Sequence, residues 1–228
     1  MQVSSSPQSG VYPVSFFKGN VFAAFSGRRY PRAQFDQFLQ KAGISPAALI
    51  RPKQVHGCGI ILHNSPAGVE KEADAIMTNV PGPALGIITA DCIPAFFWDP
   101  VKRAAALTHA GWRGLQAGIL EKTVLKMRGS FGSDPGNIQT VFGPFIRACC
   151  YEVSREFSEF FPGFYKPVSA EKGKMDLAAA ARAALLKEGI VTSNLHDTGI
   201  CTSCRHEDFF SARRGDAEER ILSVIQIR

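Results

Sequence analysis

Between residues 59 and 109 the chain places short, branched apolar runs one after another, separated by residues that turn the backbone. Residues 59–62 (GIIL), 85–90 (LGIITA) and 104–110 (AAALTHA) have the length and branching of buried strands. Pro66, Gly68, Pro81, Gly82, Pro83 and the Asp99-Pro100 pair mark the turns between them. After residue 110 the period changes. Leu115, Ile119, Leu120, Val124 and Met127 share one face of a helix ending near Gly129. A second helix is predicted over residues 176–189, with Asp176 as N-cap and Gly189 as the stop, and an earlier one over 32–42, where Phe35, Phe38 and Leu39 fall on one face. IQTVFG (138–143) and ILSVIQI (221–227) add two strands. Strands and helices are mixed unevenly, which favours an α+β fold over a doubly wound sheet.

A chain of 228 residues with 45% hydrophobic content buries a full-sized core, and one domain over 1–228 is the economical reading, with residues 1–12 frayed. No apolar run approaches a membrane span, and the first residues lack the basic and apolar segments of a signal peptide, so a cytoplasmic protein is expected. In that compartment the six cysteines stay thiols. The formal charge of +6 suits a phosphate-bearing ligand, but neither a basic stripe interleaved with aromatics nor a recognised module points to nucleic acid.

With five histidines and six cysteines, the reactive constellations are few. His63, His196 and His206 stand beside Asn64, Asp197 and Glu207 in stretches that read as exposed connections. His56, Cys92 and His109 instead sit next to strand candidates and turn residues, a common way to present a side chain at the rim of a sheet. Taken one at a time, each is more often a satisfied polar residue or a buried thiol that behaves as a small hydrophobe. Together, two imidazoles and one thiol suit zinc or copper and leave tetrahedral zinc one open position, or they make a thiol nucleophile with its bases. A metal-bound hydroxide there would attack an electrophilic carbon of a bound ligand, with Asp74 or Asp91 as proton donor. Asp91 serves only if the turn before Cys92 has already begun. A phosphate holder is also sought among the arginines: Arg113 first, then Arg28 and Arg214. Cys201 and Cys204 form a CxxC that, with Cys149-Cys150, offers four thiolates to a structural zinc. The adjacent pair reads as poor ligand geometry, and incidental thiols are the plainer reading.

KQVHG (53–57), ADAIMTN (73–79), TADCIPAFFWDP (89–100), THAGWRG (108–114), FGPFIRACCYEV (142–153) and FFSARR (209–214) together resemble the multicopper-oxidase-like laccase-domain family. It is also called the YfiH or polyphenol oxidase family and is regarded as purine nucleoside phosphorylases with deaminase activity. The resemblance implies mixed sheets covered by helices in a four-layer αββα sandwich, with no partner domain. It implies an active site at His56, Cys92 and His109 able to hold zinc, with copper as the alternative. It implies phosphorolysis of adenosine, inosine and methylthioadenosine, deamination of adenosine, and purine nucleosides and phosphate as the partners of an enzyme expected to be a monomer. The chain departs from the family pattern in the shortened segment 24–35, at Arg147 and at Ala212. The competing functions are a cysteine hydrolase acting on cell-wall precursors, a copper-dependent phenol oxidase, and a non-catalytic metal-binding module. The oxidase would need a trinuclear cluster from His63, His196 and His206, too few ligands for it.

Overall fold

The computed structural model describes residues 9–17, 19–64 and 71–228; the turn markers Pro66 and Gly68 and the first eight residues lie outside them. Strands β1 (Val11–Pro13) and β2 (Val21–Ser26) are followed by α1 (Phe35–Lys41), then β3 (Leu49–Ile50), β4 (Ile60–Leu62), β5 (Ala75–Thr78), β6 (Ala84–Thr89), β7 (Ile93–Asp99) and β8 (Ala104–Ala110). Next come α2 (Trp112–Gln116), α3 (Ile119–Phe131), β9 (Gln139–Phe142), β10 (Glu152–Ser154), α4 (Phe157–Phe160), β11 (Tyr165–Pro167), β12 (Lys172–Met175), α5 (Leu177–Lys187), β13 (Leu195–Asp197) and β14 (Ile221–Ile227).

Two mixed sheets carry the fold. One has the order β1-β2-β14-β6-β3 and the other β13-β9-β7-β8-β5-β4; a small third sheet, β10-β12-β11, pairs separately and packs Val153 and Met175 into the core on the helix side of the second. Side chains on a strand alternate between faces, and β7 shows where each face goes. Phe96 and Trp98 enter a core shared with Phe25, Leu85, Ile87 and Ile225 of the first sheet. Ala95 and Phe97 enter another, formed with Leu120, Val124 and Met127 of α3 and Leu185 of α5. The outer face of the first sheet, at Ala24, Leu222 and Val224, is covered by Phe35, Phe38 and Leu39 of α1. The layers therefore run helix, sheet, sheet, helices. Both faces of β7 and β8 are covered, so all seven residues of each are buried and they read as near-continuous apolar runs.

Asp176 caps α5 as expected, its carboxylate accepting the Ala179 N–H at 3.0 Å. Three expectations are corrected. The helix after His109 is two helices, because Gly118 takes the left-handed conformation (φ +75°) between them; α3 passes through Gly129 and ends at Gly132 (φ +67°). Residues 11 and 12 are not frayed: Tyr12 is buried, stacked on Phe25 and against Phe209, which ties β1 to the first sheet. His63 is buried rather than exposed, since its backbone N–H continues the β4–β5 pairing to Met77 O at 2.8 Å; burial holds its pKa below the ordinary value.

Candidate active site

The chain crosses between the two large sheets where the reactive residues lie. It leaves β3 in the first sheet and reaches β4 in the second through His56, and leaves β6 in the first for β7 in the second through Cys92. His109 is near the end of β8, paired with Pro94 of β7. Its place on the strand, alternating with Thr108 and Ala110, turns it to the face between the sheets with Leu107. Thr108 points the other way, to Thr123 of α3 at 3.1 Å. The donor atoms of His56, Cys92 and His109 all lie within 4.8 Å of one another, and the two imidazole rings meet edge to face at 4.8 Å between centroids.

Asp74, one residue before β5, organises this group. It lies across from His109, whose backbone N–H donates to Asp74 O at 2.7 Å. Its carboxylate is fully buried and takes four contacts. Oδ1 accepts from His56 N (2.9 Å) and meets His109 Nδ1 (2.8 Å); Oδ2 accepts from Gly57 N (2.7 Å) and Val55 N (3.3 Å). The ring of three N–H groups bends residues 55–57 around the carboxylate and holds His56 at φ +60°, a conformation unusual for a residue with a side chain. One buried carboxylate thus sets the backbone under one imidazole and the ring of the other. Burial opposes its charge, but hydrogen bonds from His109, Gly57 and His56 hold its pKa below the usual carboxylate value. Gln54 fixes the same segment to β6 by donating to Ile88 O and accepting from Ile88 N, both at 2.8 Å.

Asp91 takes φ +85°, so the turn has begun before Cys92. Its oxygens are nonetheless engaged by Thr202 Oγ1 (2.6 Å), Ser211 Oγ (3.1 Å) and the Arg213 N–H (2.8 Å). It anchors the segment carrying FFSARR to the Cys92 turn.

The electrostatics favour a thiolate. Burial disfavours charge on Cys92, yet hydrogen bonds and charge from His109 and His56 bring its pKa down to about 6. Burial likewise opposes protonation of His109, but bonds to Asp74 and Cys92 push its pKa up to about 9. Without a metal these values pair a Cys92 thiolate with a protonated His109; the thiolate is the metal-binding form, a metal would displace the His109 proton that faces it, and a carboxylate on the far nitrogen of a histidine is the usual support behind a metal ligand. Space is also kept clear. A Cβ on Gly111 would sit 2.9 Å from Cys92 Sγ and 3.6 Å from His56 Cδ2. The three residues fit a metal ion in donor type, spacing and support.

The arginines divide. Arg28 is committed to structure: its fork binds Asp216 at 3.1 and 2.6 Å and Phe209 O at 3.2 Å, over the Phe210 ring. Arg214 is exposed in the short helical turn Ala212–Arg214. Arg113 is exposed beside Trp112, its guanidinium 4.2 Å from the ring centre. Two residues were missed by sequence reasoning. Tyr151 is held protonated, its pKa pushed up to about 12 by burial and by the charges of Cys92 and Asp91, against the lowering pull of Arg213 and Arg113. Arg213 donates to Glu152 O at 2.7 Å and lies 5.4 Å from the Tyr151 ring centre. Both stand inside quoted motifs, CCYEV and FFSARR, but no pattern within either motif marks them. Arg147, one of the departures, makes a bridge to both oxygens of Asp197 at 2.7 Å and covers Phe145.

Residues 31–228 match the family described as multi-copper polyphenol oxidoreductase laccase. The chain belongs to this family. It is 35% identical over 223 residues to a purine nucleoside phosphorylase of Bacteroides thetaiotaomicron, covering 89% of this chain and 83% of that one. It is 34% identical to the purine nucleoside phosphorylase YfiH of Escherichia coli K12 (82% and 77% covered), and 32% identical to adenosine deaminase RL5 of an unknown prokaryotic organism (75% and 72%). In fold it is similar to YlmD of Geobacillus stearothermophilus, with a TM-score of 0.91 over the whole of both chains at 22% identity. At family level the protein is an enzyme, and these relatives are named as purine nucleoside phosphorylases and as an adenosine deaminase. Among the described residues, His63, His196 and His206 belong to neither of the two groups of three or more His, Cys, Asp or Glu side chains that could hold a metal ion. No helix among the described residues is long and apolar enough to cross a membrane.

Proposed function

We propose that this protein cleaves purine nucleosides with phosphate and also deaminates adenosine, at one site built from His56, Cys92 and His109. The observation that carries the reading is the convergence of this thiol and two imidazoles, within 4.8 Å, beside a wall where Arg113 and Arg213 act on Tyr151. The names of the relatives support the two activities.

In phosphorolysis a phosphate oxygen bonds to C1′ of the ribose while the C1′–N9 bond breaks and its electron pair leaves with the purine. Arg113 and Arg213 hold the phosphate; planar guanidinium forks match its oxygens. Tyr151, protonated at Oη, offers a hydrogen bond to the group that gains electrons. In deamination water adds its oxygen to C6, one of its protons goes to N1 and the other to the amino group, and the C6–N bond breaks to release ammonia. Zinc, with copper as the alternative, would be held by His56, Cys92 and His109, and supplies a Lewis acid that makes hydroxide available near neutral pH. Asp74 is a positioning residue: its charge keeps the His109 proton on Nδ1, so that Nε2 faces Cys92 and the ligand.

One observation favours a second reading. Asp74, His109 and Cys92 also form the relay of a cysteine hydrolase, with the thiol pKa already near 6. Chelation separates the two, since the hydrolase keeps its rate without metal. The direct test is chromatography of purified protein incubated with adenosine and phosphate, then with inosine and with methylthioadenosine. Adenine and ribose 1-phosphate, together with inosine, are expected from adenosine. Absence of both phosphorolysis and deamination across the three nucleosides would refute the proposal.

A further inference from the structure

Four of the six cysteines, Cys149, Cys150, Cys201 and Cys204, come together away from the His56–Cys92–His109 group. An isolated parallel bridge between Phe145 and Cys201 brings their two segments together: Phe145 N donates to Ile200 O (3.3 Å) and Thr202 N to Phe145 O (3.1 Å). Beyond the bridge each segment turns. Cys150 N and Tyr151 N both donate to Arg147 O, at 2.9 and 2.8 Å, and Arg205 N donates to Cys201 O at 2.9 Å. The adjacent pair reads as poor ligand geometry if extended, because successive side chains then point apart. In the turn both sulfurs reach the same partner: Cys204 Sγ is 3.5 Å from Cys149 Sγ and 3.4 Å from Cys150 Sγ.

We propose that these four thiols form a tetrathiolate zinc site that clasps the wall of the active site. All four sulfurs lie within 4.8 Å of one another. A tetrahedral ion with Zn–S bonds of about 2.3 Å sets its sulfurs about 3.8 Å apart, inside the observed spread, whereas a disulfide needs about 2.05 Å. Lys174 adds a cation, its ammonium donating to Cys149 O at 3.3 Å. Cys201 is buried while Cys149 and Cys204 are exposed, so the site is rooted in the fold and open to metal.

The clasp has a consequence for the neighbouring site. The first segment runs on to Tyr151, and the second holds Thr202, Ser211 and Arg213, the partners of Asp91 beside Cys92. Joining the segments fixes the distance between the two halves of the wall. This inference stands whether or not the nucleoside reading does.

The test uses the full chain, purified with reductant and without added metal, in three forms: wild type, His56→Ala/Cys92→Ala, and Cys201→Ser/Cys204→Ser. Zinc per chain is measured by elemental analysis, and each form is exchanged with cobalt(II). The His56→Ala/Cys92→Ala form is expected to keep one zinc per chain, and its cobalt form to show the thiolate charge-transfer and strong visible bands of a four-sulfur tetrahedral site. The Cys201→Ser/Cys204→Ser form loses one zinc per chain relative to wild type, together with the four-sulfur bands, and keeps only what the His56–Cys92–His109 group holds. Because that form can fail to fold, Cys149→Ser at an exposed ligand is added; weakened charge-transfer on an intact fold supports the site. A zinc-free His56→Ala/Cys92→Ala protein, cobalt spectra lacking four-sulfur character, or disulfides among these residues in freshly prepared protein would overturn the proposal.

Discussion

Replacing Asp74 by Asn keeps the shape of the side chain and removes its charge, so it isolates what the carboxylate does. Each oxygen serves two partners: Oδ1 faces His56 N and His109 Nδ1, Oδ2 faces Gly57 N and Val55 N. An amide supplies one oxygen. With the oxygen kept toward His109, the new NH2 confronts the N–H groups of Gly57 and Val55 in a fully buried place. Unsatisfied buried donors cost about 1–3 kcal/mol each, and hydrogen bonds to a charged group contribute about 1.5–3 kcal/mol. The Val55 contact is long, so the loss centres on Gly57 and on the weakened bond to His109, together about 2–4 kcal/mol. At about 1.4 kcal/mol per factor of ten, kcat/KM falls by roughly 30- to 1,000-fold. Zinc affinity, measured by competition with a chromogenic chelator, falls about 10- to 100-fold, the usual cost of losing the group behind a metal-binding histidine. A merely structural role would lower the melting temperature and leave zinc affinity alone. Wild-type zinc affinity and kcat/KM within a factor of about two, in a folded Asp74→Asn protein, would refute the reasoning.

Gly111→Ala places a methyl against the Cys92 sulfur with an allowed backbone (φ −77°), so loss of metal occupancy with little change in melting temperature is expected, by elemental analysis and calorimetry. Arg113→Ala and Arg213→Ala should each raise the KM for phosphate about 10- to 100-fold while sparing deamination, whereas Arg28→Ala should lower stability and leave that KM in place; initial-rate kinetics decide. The Arg28–Asp216 pair also sets a pH signature. The Arg28 guanidinium beside Asp216, helped by the Ser211 N–H, holds the carboxyl below its ordinary value against partial burial. Its stabilisation is present above the unfolded carboxylate pKa and is lost as pH falls through the folded one. Denaturation of wild type and Asp216→Asn should therefore differ at pH 7 and converge in acid; a gap that persists there contradicts the assignment.

Helix α3 was legible because Leu120, Val124 and Met127 fall on one face, and β8 because its apolar run has a strand's length, whereas β7, apolar on both faces, shows no period and the layering followed from the family resemblance. His56, Cys92 and His109 stood out by their place at strand ends. What local patterns could not show was long-range. That residues 90–92 cross from one sheet to the other depends on pairing with β14, far along the chain. His63 looks exposed beside Asn64, and its burial follows from pairing with Met77. Gly118 interrupts a helical face without disturbing its apolar period, so the break between α2 and α3 leaves no mark in the pattern. Tyr151 and Arg213 gain meaning only because Asp91 gathers the segment containing Ser211 and Arg213 beside Cys92.

The central claim is that one thiol and two imidazoles, brought from separate crossings of the sandwich, work as one site for both reactions. Cys92→Ala tests it most directly, with adenosine and phosphate supplied together and adenine and inosine followed in the same samples. The account expects both products to vanish while the circular dichroism spectrum and melting temperature stay near wild type. Formation of either product at the wild-type rate would contradict it.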